Sequence, residues 1–334
     1  MRVLLTIAFI SFIGLANGQD IHFSQFFFSP QLLSPAEIGN FNAEYRLNAN
    51  QKTQWREVSR PYSTFAVMGD GSFDFLPEEI SVGAVIMNDN AGDSRFNTFS
   101  FLLGGSYRIS LPNDSRHEFI GGLQTGLTQI RLNYDELSFN NQFNGVVYDP
   151  NLPTGESFAR NARWYLNLNL GVSYQFLFDK RKQFTVGFAG HNVTSPDQSF
   201  FNDTGVNLPF RSSVYLTADW KISEKLDALP AFRWMDQSTF SEVIFGGSIR
   251  YRLIDEGSLY RAVFAGYYGR FGDSGIAMLG AEIDAWRVGI SYDINVSDLE
   301  VASRNQGGFE FSVQYLFGRQ IATGPQHKYC PIFL

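Results

Sequence analysis

Three short runs in this 334-residue chain have the residue types of reactive or metal-binding sites. Gly272-Asp273-Ser274-Gly275 copies the tetrapeptide around a serine nucleophile, a chemistry that also needs a histidine base oriented by an acid. The four histidines, His22, His117, His191 and His327, lie far apart, and glycine, aspartate and serine are what a tight hairpin turn selects. A turn therefore accounts for the run better than a nucleophile does. Asp203-Thr204-Gly205 resembles an aspartic-protease loop, but without an evident second copy it reads as a polar loop. Asp89, Asn90 and Asp93 place oxygen ligands close together, yet without the ligand series and distal glutamate of a calcium loop, so they read as a solvated turn. The N-x-Ser/Thr triplets at Asn113, Asn192, Asn202 and Asn295 are expected by chance in so polar a chain.

The histidines have no metal-ligand spacing, and the glycines form no phosphate-cradling loop. One cysteine, Cys330, leaves no internal disulfide framework. A net charge of -7 argues against a nucleic-acid partner. These residues point to no cofactor and to no convincing nucleophile-base set.

The elements that position these residues are strands. Trp286-Val288-Ile290-Tyr292-Ile294 and Phe309-Phe311-Val313-Tyr315-Phe317 are apolar at every second residue, with polar or small residues between. In a strand this alternation makes one apolar and one polar face. The apolar face could meet the core of a soluble sandwich or the lipid around an outer-membrane barrel.

Three features favour lipid. Arg2, the apolar stretch Val3 to Leu15 and the small residues Ala16-Asn17-Gly18 read as a signal peptide over 1–18, cleaved before Gln19. That stretch is too short for a spanning helix, which needs about 20 apolar residues, and no later stretch approaches the length. Alternation recurs in about fourteen candidate strands between residues 41 and 317. The clearest are Phe41 to Ala49, Leu166 to Phe176 and Val243 to Tyr251, whereas 118–132 and 228–236 fit loosely. Aromatic residues at 16%, including 33 phenylalanines, with a mean hydropathy of only -0.14, suit alternating walls better than membrane helices.

Loop lengths give a further test, because such barrels pair short periplasmic turns with longer extracellular loops. The four longest connections are expected after strands one, five, seven and thirteen, at 51–61, 133–163, 194–210 and 297–307. The fold expected is an all-β transmembrane antiparallel barrel over 41–317. A periplasmic or lumenal segment, 19–40, precedes it and a periplasmic tail, 318–334, follows it. Both termini are then periplasmic, and outer-membrane lipid surrounds the barrel.

Residues 19–40, with Phe23, Phe26, Phe27, Phe28, Leu32 and Leu33, are too apolar for a solvated tail and must pack against something. Gln19-Asp20-Ile21-His22-Phe23-Ser24-Gln25-Phe26, followed by Ser29-Pro30 and Ser34-Pro35-Ala36, resembles the opening of the PorP/SprF family of type IX secretion system membrane proteins. Gln54-Trp55 with Pro61-Tyr62-Ser63-Thr64, and the closing blocks Gly289 to Ile294 and Gly307 to Ser312, resemble it too.

The resemblance implies an outer-membrane barrel of Bacteroidota serving the type IX machinery. Its implied partners are a cargo C-terminal sorting domain, including that of large gliding adhesins, and other secretion components, periplasmic or outer-membrane. His22, Phe23, Ser24, Gln25, Phe26, Pro30 and Pro35 are the residues expected to bind a partner or to plug the barrel. Arg250, Arg252, Arg287, Asp293 and Glu310, at polar positions of the wall, are expected to line the lumen. The competing function is a passive porin or hydrophobic-solute channel.

Overall fold

The structure, a computed structural model, describes residues 20–318 except 55–59, 74–78, 93, 113, 158–159, 180, 202–204, 257–258 and 297–305. The expected signal peptide, the tail beyond Gly318, Cys330, His327, Asp93 and the Asp203-Thr204 pair lie outside the described residues.

Fourteen strands are present among the described residues. They are β1 (Tyr45–Gln54), β2 (Tyr62–Gly71), β3 (Ile80–Ala91), β4 (Phe96–Leu111), β5 (Asp114–Arg131), β6 (Ala162–Asp179) and β7 (Lys182–His191). Then follow β8 (Arg211–Lys221), β9 (Leu226–Gln237), β10 (Phe240–Glu256), β11 (Leu259–Arg270), β12 (Ser274–Ile283), β13 (Trp286–Asn295) and β14 (Gln306–Phe317). Each pairs antiparallel with its sequence neighbours, and β14 pairs with β1 from Tyr45↔Phe317 to Gln54↔Gly308, closing the barrel. Closure removes the unpaired strand edges that lipid could not satisfy.

The alternating faces divide as a lipid-facing wall requires. Leu47, Leu166, Leu170, Val172, Trp286, Ile290, Tyr292, Phe309 and Phe311 are exposed on the outside, while Asn48, Asn50, Ser291, Asp293, Glu310 and Ser312 are buried inside. A one-residue slip in any ladder would exchange these two sets. No helix among the described residues is long and apolar enough to cross a membrane.

Aromatic rings gather at the end bearing the turns that follow even-numbered strands. Phe178 meets Trp220 at 5.5 Å between ring centroids, Trp286 meets Tyr315 at 4.3 Å, and Tyr45 meets Phe317 at 5.2 Å. Amphipathic rings in that position suit the headgroup level of a bilayer.

Several boundaries differ from the sequence expectation. β1 begins at Tyr45, not Phe41, and continues to Gln54. Phe41 lies instead beneath the Arg46 guanidinium, 4.4 Å from its ring centroid, where it has no ladder partner. The loop after β1 is thereby cut to 55–61, one residue shorter than the 72–79 connection on the opposite side. The loop asymmetry rests on 132–161, 192–210 and 296–305. Asp89 and Asn90 belong to β3 rather than to a solvated turn, and Asp89 is buried, accepting from Thr64 Oγ1 at 2.6 Å. The Gly272-Asp273 pair does form a turn, with Ser274 opening β12.

Candidate functional site within the barrel

The barrel interior is filled by the segment before β1. Its residues make three tight turns in succession: Phe26–Phe28, Pro30–Leu33 and Pro35–Glu37. Pro30 and Pro35 each open a turn, where proline's fixed φ is already helical and its missing N–H has no intrahelical role. Ser34 Oγ accepts from the Ala36 N–H at 3.2 Å and caps the third turn. Such short turns cannot stand alone in water, so the wall must hold them.

Apolar contacts hold two sides. Phe26, Phe28 and Leu33 pack with Tyr215, Ile244, Phe264, Tyr268, Ile276 and Met278 of the wall. Phe23 packs with Ala66, Met68, Val85 and Leu102. These inward-facing apolar wall residues would be costly in an open aqueous lumen; here they form a core. Two wall glycines let the segment approach closely. A Cβ at Gly122 would sit 2.2 Å from the Pro35 carbonyl carbon, and one at Gly171 would sit 2.3 Å from Ser34 Oγ.

Charges hold the remainder. Glu310 accepts the backbone N–H of Ser24 at 2.8 Å and of Gln25 at 2.9 Å. Ser24 Oγ donates to Asp293 Oδ2 at 2.7 Å and accepts from Arg270 Nη2 at 2.7 Å and Lys52 Nζ at 3.1 Å. Glu242 lies 2.9 Å from His22 Nε2, 2.5 Å from Arg233 Nη2 and 3.1 Å from Arg270 Nε. At the other end of the segment, Asp70 accepts from Arg46 Nε at 3.0 Å, from Arg46 Nη2 at 2.6 Å and from the Gly39 N–H at 2.7 Å. The Tyr215 hydroxyl donates to Glu37 at 2.6 Å. Burial lowers the His22 imidazole below its usual value despite the pull of Glu242, and burial raises the Glu37 carboxyl.

The seven N-terminal residues singled out from sequence all lie in this interior segment. Of the five wall residues, Asp293 and Glu310 meet it at Ser24 and Gln25. Arg250 and Arg252 converge elsewhere, both donating to Asp227 Oδ2, at 3.0 and 2.8 Å. Arg287 joins that pair through Glu282, whose Oε1 lies 3.1 Å from Arg287 Nε and 3.5 Å from Arg250 Nη1. Its guanidinium carbon lies 4.9 Å from the Phe28 ring centroid and 5.2 Å from that of Phe264.

Sequence reasoning missed Arg46, Lys52, Asp70, Asp227, Arg233, Glu242 and Arg270. Their signal was charge at inward positions of strands, since an ion enclosed away from water needs a partner.

The segment divides the interior. It starts at Asp20 near the loop side, where the Asp20 N–H donates to Gln237 at 2.8 Å, and leaves past Arg46 and Arg108 on the even-turn side. Asp20 thus lies inside the barrel toward the odd-loop end, whereas β14 ends at the even-turn mouth. Between the segment and that mouth lies a cavity of about 480 Å³, roofed by Phe27, Pro30, Leu33 and Glu37.

A family model described as type IX secretion system membrane protein PorP/SprF matches residues 15–315. No curated protein matches the chain. Among solved structures, the toluene transporter TbuX of Ralstonia pickettii is similar with a TM-score of 0.51 at 9% identity, over 86% of this chain and 93% of that one. The P. putida toluene transporter TodX gives a TM-score of 0.45 at 11% identity, over 86% and 93% of the two chains. At such identities the TbuX likeness speaks to the barrel fold and not to what passes through it. The chain belongs to the PorP/SprF family of type IX secretion system membrane proteins, as an outer-membrane β-barrel.

Proposed function

We propose that this barrel is a non-enzymatic component of the type IX machine that supports export or surface attachment of cargo carrying a C-terminal sorting domain, large gliding adhesins among them. The long loops 132–161, 192–210 and 296–305 then face the outside, and the even-numbered turns and the C-terminal end face the periplasm. The supporting observation is the filled lumen: residues 20–38 occupy it, tied to the wall by buried hydrogen bonds to charged side chains and fitted over glycines. A passive porin keeps its lumen open to solutes, so an occupied lumen weighs for a docking component over a channel. The Phe-rich start of the segment is read as part of that closed state.

Deleting residues 19–36 tests the reading in cells. The expected result is an inserted barrel with less cargo at the surface and more retained in the periplasm. Unchanged surface cargo with a normally inserted barrel would show the segment to be dispensable. A strain lacking the whole protein should lose one or more surface proteins. Normal secretion in that strain, together with a solute-selective conductance of the intact protein in planar bilayers, would replace this reading with the channel.

A further inference from the structure

The cavity at the even-turn mouth contains a cation whose hydrogen-bonding capacity is not used. Arg287 keeps 25% of its side chain open, and its only carboxylate contact among the described residues is Nε to Glu282 Oε1 at 3.1 Å. Its two terminal amino groups make no hydrogen bond among the described residues, although the guanidinium plane is fixed beside Phe28 and Phe264. Gln314 stands directly opposite Arg287 in the β13–β14 ladder, lines the same cavity, and its amide makes no hydrogen bond there. An arginine fork held on aromatic faces beside a free amide is the geometry that recognises a planar carboxylate through two parallel bonds.

The size and lining of the cavity suit a short peptide. Five arginines line the cavity: Arg46, Arg108, Arg250, Arg252 and Arg287. Four carboxylates line it with them, Glu37, Asp219, Glu282 and Asp284, and just behind the lining Asp70 engages Arg46 while Asp227 engages Arg250 and Arg252, so these three arginines are already partnered. Leu33, Leu316 and Phe27 supply apolar surface, and about 480 Å³ accommodates a few residues of peptide.

We propose that this vestibule is a binding site for a peptide carboxylate, held by Arg287 and Gln314, with apolar side chains of the same peptide against Leu33 and Leu316. The site is separate from the filled lumen, and it stands or falls independently of the role in cargo export.

The test uses the full chain in detergent micelles and three fluorescein-labelled probes read by polarisation. These are a Gly-Phe-Leu peptide with a free C-terminal carboxylate, its C-terminal amide, and a Phe-Asp-Leu peptide amidated at the C-terminus. The free acid should bind on the order of tenfold more tightly than its amide, the difference one charge-assisted pair supplies. Binding of the Phe-Asp-Leu amide as well would assign the site to carboxylates in general; its failure would restrict the site to chain ends. Arg287→Gln should remove the preference for acid over amide, and Gln314→Leu should reduce it. Arg287→Lys, which keeps the charge without the fork, should restore only part of it. A heat-shifted gel mobility shows that each variant is folded. Equal binding of acid and amide, no binding of either, or an undiminished preference in folded Arg287→Gln would overturn the proposal.

Discussion

The Glu310 carboxylate accepts the backbone N–H of Gln25 at 2.9 Å, joining the chain's opening segment to its last strand across 285 residues of sequence. The same carboxylate accepts from Ser24 at 2.8 Å, so one wall side chain satisfies two successive buried amides. Glu310→Ala leaves both unpaired, at about 1–3 kcal/mol each. Glu310→Gln keeps a neutral acceptor and should lose less. The expected outcome is a segment that leaves the lumen in Glu310→Ala, read as new conductance in planar bilayers. A silent Glu310→Ala barrel would mean that the remaining anchors suffice.

Steric fit gives a second handle on the same segment. Gly122→Val places a side chain where the Pro35 carbonyl carbon already lies 2.2 Å from the Cβ position. Real Cβ atoms do not approach so closely, so the Pro35–Glu37 turn must move. With Cys330 replaced by serine and a cysteine introduced at Ala36, which is fully buried, maleimide labelling should be slow in the parent and fast with Gly122→Val. Gly121→Ala is the control, since no atom lies within 4 Å of its Cβ position. Equal labelling in all three would show that the wall does not hold the segment at this point.

The contrast between these neighbouring glycines shows what could be read from sequence. The barrel wall was legible wherever the outward face is uniformly apolar, as from Leu166 to Phe176, because lipid selects it at every second residue. β5 fitted only loosely because Gly121 and Gly122 interrupt its pattern, and at Gly122 the reason is the Pro35 turn pressed against it. Until the segment is known to occupy the lumen, nothing in the sequence distinguishes such a glycine from one in a bend. The inward apolar residues Met68 and Val85 likewise carry no local sign that they face Phe23 rather than water. Polar positions were legible as polar, but pairs such as Arg46 and Asp70, or Glu310 and Ser24, are set by closure of the barrel. Neither end of the pair carries that information locally.

Asp70 anchors the exit of the segment. It binds Arg46 through both oxygens and also accepts the Gly39 N–H. Removing one partner of a buried pair strands the other, at about 3–5 kcal/mol. Asp70→Ala should therefore lower the urea midpoint of the refolded barrel more than Arg46→Met with Asp70→Leu together, which strands no charge. A larger loss in the double variant would mean that the pair itself, not the stranded ion, carries the stability.

His22 makes the seating of the segment depend on pH. Burial lowers its folded-state value below 6.5, with Arg233 and Lys52 acting in the same direction and Glu242 opposing them. A displaced His22 regains the ordinary value near 6.5 and takes up a proton as pH falls through it, while the seated one resists. The seated state is therefore unaffected by this group above that pH and weakens as pH falls from about 6.5 toward the lowered value. Labelling of the Ala36 cysteine after brief equilibration at pH 7.5, 6.5 and 5.5 should become faster at the lowest pH in the parent. With His22→Asn, which cannot take up the proton, the acceleration should be smaller. The same acceleration in both proteins would assign the pH response to another group.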